Sequence, residues 1–381
     1  MTSPVDTSVK FARSDMLGAP VLKPAAGSII SLLDAFLLNG WGLQMATSVV
    51  VSGGVATATF PTDHAAVVDS VVLVAGATPA GLNGEQKVTA IALNKVSWAT
   101  GAPDGTATGS ITVKMAAAGW AKPFTGTNLA VYRSAHPQSN GHYLRVNDAN
   151  ALYARGLAYE TMSAVSTGTN PFPTNTQVSG GGYWGKSANT AHGRDIPWLA
   201  FSDGRILYLC ILADQAELDQ SSYSYSEIYT FGDPIPASAA GNPFGTVMCV
   251  STTPSGRTET TGNGLGGAFV ARSVSRVIGA RNIAVEYIPQ SPGRFPEPAF
   301  GGMWLAPVRV RELEPNGNAI GGVSVAPGVF RVETTGIQRV LGQWPVVPAA
   351  GRRYLLQNIN GGYLTDSVSP SAAFDITGPW R

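Results

Sequence analysis

From Thr47 to Lys114 the chain reads almost wholly as β-structure, and this stretch constrains the fold more than any other. It contains the runs Ser48-Val-Val-Val-Ser-Gly-Gly-Val55, Ala56-Thr-Ala-Thr-Phe60, Asp69-Ser-Val-Val-Leu-Val-Ala-Gly76, Gln86-Lys-Val-Thr-Ala-Ile-Ala-Leu93 and Gly109-Ser-Ile-Thr-Val-Lys114. The runs are short and rich in β-branched residues, and Gly, Pro, Asn and Asp separate them, as in strands joined by turns. Gly40-Trp41-Gly42 precedes the stretch and Gly119-Trp120 follows it. Two tryptophans bracketing a compact unit suggest that the flanks belong to one body and that the β stretch is inserted into it. The expected division is residues 1–45 as an arm and helix, 46–116 as a small inserted barrel or sandwich, and 117–381 as a β-rich main body packing with the arm. The expected fold class is mainly β, with long loops and one short N-terminal helix.

The composition agrees. At 381 residues there is material for two or three domains, and 44% hydrophobic content can build cores. Only 13% of residues are charged, about half the usual ~25%. The 45 glycines and 26 prolines suit turns and ordered loops, and aromatic and β-branched residues throughout argue against disorder. The net charge of +1, with no basic stripe, gives no reason to expect a nucleic-acid partner. Arginine (18) outnumbers lysine (7), which suits fixed, forked contacts at interfaces as well as ordinary codon bias. Cys210 and Cys249 lie in apolar runs and read as buried free thiols, with a disulfide between them as the alternative. The N-terminus lacks a secretion pattern and no apolar run approaches the ~18 residues of a membrane span, so the expectation is a chain made in the cytoplasm that does not insert into membranes.

Ser28 opens a helix whose apolar face is Ile29, Ile30, Leu32, Leu33, Phe36 and Leu37, with Ser28 as the expected cap and Asn39-Gly40 as the stop. After Trp120, strands are expected at 128–133, 143–146, 198–201, 205–212, 228–231, 283–287, 304–310 and 329–332. Residues 157–165 fit either a short helix or a strand. Residues 166–195 and 251–267 read as long loops, which are uncommon in compact domains and usually functional.

Several motifs invite a sharper reading. Gly180-Gly-Gly-Tyr-Trp-Gly185-Lys186-Ser187 matches the phosphate-loop pattern, a rare coincidence. Such a loop needs a strand before it and a helix after it. Here Pro171 and Pro173 precede it, and Asn189, Gly193 and Pro197 follow. The reading is an aromatic-bearing loop. Gly262-Asn-Gly-Leu-Gly-Gly267 matches the dinucleotide fingerprint, but so glycine-rich a chain meets that pattern by chance and the βαβ context is missing. His64, His136, His142 and His192 show no metal-site spacing. No Gly-x-Ser-x-Gly nucleophile turn occurs, and the carboxylates are scattered. No catalytic residue, cofactor or metal is assigned. The candidates for contact with a glycan or a partner are Tyr183, Trp184, Tyr223 and Tyr225, with Tyr229 on the same odd-numbered face as the last two; the plain alternative is that these rings pack in their own domain.

Several phrases carry a resemblance: Val9 to Val21, Gly27 to Ala35, Asn39-Gly-Trp-Gly42, Gly119 to Asn128, Tyr143-Leu-Arg-Val-Asn-Asp148 and Asp375-Ile-Thr-Gly-Pro-Trp-Arg381. In these the chain resembles a family of tailed-bacteriophage virion proteins, over its first 150 residues and its extreme C-terminus. The inserted unit is similar to small β-barrels of phage tails and baseplates. The resemblance implies a structural virion protein, present in several copies in the tail, baseplate or tail tip. Its implied partners are other virion proteins and further copies of itself, and its implied location is the virion. The arm from Thr2 to Lys23 is expected to serve as an exchanged linker. Alternatives are a head or neck decoration protein, a module for a host-surface glycan or receptor, and a hydrolase of envelope polymers. The hydrolase would need a pocket that gathers a histidine and a carboxylate.

Overall fold

The computed structural model describes residues 3–187, 195–212, 227–236, 245–254, 267–272, 278–286, 304–313, 319–333, 344–349, 351–358 and 371–381. The protein is mainly β, 51% strand and 6% helix, with one short helix and a sheet curled into a half-barrel. Among the described residues its strands form three antiparallel sheets of thirteen, six and eight strands.

The thirteen-stranded sheet begins at Lys10–Arg13 and ends at Val346–Ala349. Two of its strands, Trp198–Ser202 and Ile206–Ile211, are buried along their whole length. Side chains alternate faces along a strand. Trp198, Ala200, Leu207, Leu209 and Ile211 accordingly enter one core, while Leu199, Phe201, Ile206, Tyr208 and Cys210 enter another. An unbroken apolar run such as Ile206-Leu-Tyr-Leu-Cys-Ile211 has no polar face because both sides are covered. Phe201, near one edge, stacks on Phe374 from far along the strand order, with centroids 4.0 Å apart, so the sheet curls around its second core. Cys210 and Cys249 are both free and buried.

The six-stranded sheet, Trp120–Gly126 through Gly182–Gly185, closes the first core together with the helix. Residues 157–165 resolve as part of the long strand Tyr153–Ala164. The region read as a loop from Ser166 holds two more strands, Thr167–Phe172 and Gly182–Gly185, each paired to that long strand. Proline and glycine hide both in the sequence, and pairing to a well-formed neighbour overrides their weak propensity. Of the other long loop, residues 255–266 lie outside the described residues.

The eight-stranded sheet is built from Gln44 to Met115 around Val49, Val51, Val72, Val74, Val88, Trp98 and Val113. Its long strand Gly84–Ala92 pairs with Val71–Ala75 through its first half and with Lys95–Ala99 through its second. The segment from Gln44 to Ser52 bridges the two ends of the sheet: Gln44–Met45 pairs with Thr112–Met115, and Ser48–Ser52 pairs with Val55–Thr59. The chain enters and leaves this unit side by side, with Met115 N–H donating to Trp41 O at 2.9 Å and Ala118 N–H to Phe36 O at 2.8 Å. Gly40 sits at that crossing with φ 66°, and a Cβ there would lie 1.9 Å from Met115 O, so only glycine fits.

The helix runs from Ser28 to Leu33 and continues as a π-helix over Asp34–Asn39. Ser28 is not its cap. Gly27 occupies the N-cap position with no side-chain cap, and Ser28 Oγ donates back to Lys23 O and Ala25 O. The arm is seated on its own chain: Val9, Phe11, Ala12, Met16 and Leu22 are buried, and Lys10–Arg13 pairs with Trp198–Ser202.

Candidate functional site

The strongest concentration of chemistry is a buried ion pair at the start of the helix. The first N–H groups of any helix lack intrahelical partners. Here Asp148, which follows the strand Tyr143–Asn147, supplies the acceptor. Its Oδ2 accepts from Ile29 N–H at 2.7 Å and Ile30 N–H at 3.1 Å, and its backbone carbonyl accepts from Gly27 N–H at 2.8 Å. The other carboxylate oxygen accepts from Lys186 Nζ at 2.6 Å. Lys186 also donates to Ala25 O and Asn150 O, each at 2.6 Å. All three ammonium protons are therefore used, and both side chains are 0% exposed. Burial pushes the Asp148 carboxyl up and the Lys186 amine down, while their pairing opposes both shifts. This is the lysine of the phosphate-loop pattern. It follows a strand whose glycines pack against neighbours, and its charge is neutralised inside the protein, leaving nothing to offer a phosphate.

The aromatic candidates separate. Gly182–Gly185 is a strand, so Tyr183 and Trp184 point to opposite faces. Trp184 is 0% exposed and stacks on Tyr229 at 5.4 Å. Its ring belongs to the core and cannot meet a glycan or a partner, which corrects its assignment as a contact residue. Tyr183 is half-buried, edge-on to Tyr153 at 4.9 Å and under the Arg155 guanidinium at 3.7 Å. Tyr223 and Tyr225 lie outside the described residues.

A second polar cluster joins the six-stranded and thirteen-stranded sheets. Thr246 Oγ1 donates to Asp233 Oδ1 at 2.7 Å and lies 2.7 Å from His142 Nδ1. Asn140 donates to both, through its N–H to Asp233 and its side chain to Thr246. The hydroxyl sits between imidazole and carboxylate, the reverse of a nucleophile relay, in which the imidazole takes the hydroxyl proton. Because Thr246 gives its proton to Asp233, His142 must donate. Burial holds the His142 imidazole below its ordinary pKa, favouring the neutral ring. Arg381 closes this region, with Nε bonded to Asp203 Oδ2 at 2.6 Å. The C-terminal phrase is thus a clasp: Trp380 Nε1 donates to Asp375 O at 2.8 Å and its ring lies against Gly328, where a Cβ would come within 2.0 Å of it. Of the remaining histidines, His64 bonds backbone carbonyls, His136 sits in a turn, and His192 lies outside the described residues. Among the described residues no group of three His, Cys, Asp or Glu is placed to hold a metal ion, and no helix is long and apolar enough to cross a membrane.

The eight-stranded unit is held to the body by a third set of charges. Lys87, 4% exposed, donates to the backbone carbonyls of Ile376 and Thr377. Lys10 Nζ reaches Glu85 Oε2 at 2.8 Å, and Arg353 Nε reaches Asp69 Oδ2 at 2.7 Å. Burial brings the Lys87 amine down to about 8, partly offset by Asp69, Asp6 and Asp375, and burial likewise raises the Asp69 carboxyl. An open groove of about 450 Å³ runs between the exposed side of the helix and the turn at Thr125–Leu129, lined by Ser31, Asp34, Asn39 and Asn128 among others. Its one carboxylate is already taken, by Lys122 at 2.6 Å and by the Tyr132 hydroxyl at 2.8 Å.

The sequence analysis singled out Lys186 but missed Asp148 as its partner and missed the Lys87 joint. Compared with known proteins, the chain matches no protein-family model and no curated protein.

Proposed function

We propose that this protein is a structural component of a phage-like particle, present in several copies in a tail, baseplate or tail-tip position, with other particle proteins as its partners. The observation that carries this reading is a division of labour over the surface and interior. The polar clusters are spent on holding the chain's own pieces together. The exposed large apolar side chains, among the described residues, are Leu17, Val21, Leu43, Met45, Val50, Val55, Ile91 and Leu93, all in the arm or the eight-stranded unit. Large apolar side chains left exposed on only these two segments make them the places where a partner would dock. The phrases that resemble tailed-phage virion proteins also fall on packing joints: the edge strand, the helix, its Asp148 cap and the C-terminal clasp.

The test is deletion of the reading frame from the phage or prophage that carries it, with electron microscopy and mass spectrometry of the particles. The expected result is that the chain is recovered from normal particles and that its deletion leaves defective tails. Particles that assemble and infect normally without it would overturn the proposal. A head or neck position would show as intact tails on defective heads.

A further inference from the structure

We infer that the outer face of the strands Ser48–Ser52, Val55–Thr59 and Lys95–Ala99 is the contact through which two copies of this chain pair. The inference rests on the assembly reading and names its surface and partner.

This face lies on the eight-stranded unit, on strands other than those that carry the joint to the body. Alternation sends Val49, Val51, Ala56, Ala58, Val96 and Trp98 inward and leaves Val50, Val55, Thr57, Ser97 and Ala99 outward. Val50 and Val55 are 42% and 41% exposed. Residues 46–62 contain no charged side chain. The hydroxyls at the centre are already engaged: Thr57 Oγ1 and Ser97 Oγ are 2.8 Å apart, and Thr89 Oγ1 donates to Ser97 O. Hydroxyls bonded to each other lose less on leaving water than hydroxyls bonded to water.

The charges at its margins select the occupant. Lys95 pairs with Thr59, which in turn pairs with Ser48, at one end of the face. Asp104 Oδ1 accepts from Gly53 N–H at the other end, and the short strand Gly105–Thr106 lies on the opposite flank from Lys95–Ala99. Lys95 and Asp104 thus mark diagonally opposite corners. In a two-fold contact between identical faces, a residue away from the axis meets a different residue of the copy. A two-fold axis lying in the face, perpendicular to that diagonal, sets each Lys95 against the copy's Asp104, twice over. A face with charges of one sign would repel its copy; this one complements it.

The experiment is light scattering on the full chain across a concentration series, with thermal melting to verify folding. The expected result is a paired species that Val50→Glu weakens by at least about tenfold and that Lys95→Asp or Asp104→Lys, each breaking two exposed ion pairs, weakens by up to about thirtyfold. The double reversal Lys95→Asp/Asp104→Lys restores it. As an independent readout, Lys95→Cys/Asp104→Cys is cross-linked to a covalent dimer by a short bismaleimide, while either single cysteine variant is not; the native cysteines are buried. A wild-type chain that stays monomeric at high concentration overturns the inference. So does an oligomer indifferent to Val50→Glu and to both reversals, or cross-linking equal in all three cysteine variants. Each of these outcomes leaves the assembly reading standing, since particle defects on deletion test that separately.

Discussion

Two buried lysines hold two joints, and they do so differently. Lys186 ties the helix to the first core and has a carboxylate within 2.6 Å, plus two carbonyls, for its three protons. Lys87 ties the eight-stranded unit to the body and donates to two carbonyls, with carboxylates acting on it only through space. An ion pair neutralises the charge it buries, whereas carbonyl dipoles only solvate it. The comparison teaches that the body's joint is a locked one, whose failure leaves an orphaned charge, while the unit's joint can lose its charge without stranding a bonded anion.

The largest effect is expected from breaking the locked joint. Lys186→Met removes one member of a buried pair and leaves Asp148 with only the two helix N–H groups, a loss of about 3–5 kcal/mol in denaturant unfolding. Lys87→Met removes charge-assisted bonds but no bonded anion, and it also relieves the penalty of burying the charge, so a smaller loss of no more than about 1.5 kcal/mol is expected.

The second joint also responds to pH. The Lys87 amine is lowered to about 8 from 10.5 in the unfolded chain. Between those values the unfolded chain binds more protons than the folded one, so this group makes stability rise with pH across that window and adds a constant penalty below it. The difference in stability between the wild-type chain and Lys87→Met, followed from pH 7 upward in urea titrations, should change across that window. A flat difference would show that Lys87 is ordinary. The smallest effect sharpens the first joint from its other side. Ser28→Ala should cost no more than about 0.5 kcal/mol, against the ~1 kcal/mol usual for a capping serine, because Asp148 does the capping.

Much of the fold was legible because its signals are local. The β-branched runs from Ser48 to Lys114 are dense and punctuated by turn residues, and the helix shows its apolar face within two turns. Among the strands that escaped, Trp120–Gly126, Thr167–Phe172 and Gly182–Gly185 carry proline or glycine and exist through pairing with neighbours, while Lys10–Arg13, Ala268–Arg272, Arg352–Asn358 and Ser371–Asp375 also went unread. The joints escaped for a different reason. Lys186 and Asp148 are 38 residues apart, and Asp148 and Ile29 are 119 apart, a proximity no local pattern encodes. Trp184 could have been placed from sequence: adjacent residues on a strand face opposite ways, so Tyr183 and Trp184 could not both meet one ligand.

The most suggestive side chains of this sequence hold its own architecture together. A double-mutant cycle tests this most directly, measuring unfolding free energies for the wild-type chain, Lys186→Met, Asp148→Asn and the double variant. A structural pair predicts strong coupling, with the double variant more stable than the sum of the single losses by about 1–3 kcal/mol. Additive losses, with no coupling between the two positions, would contradict it.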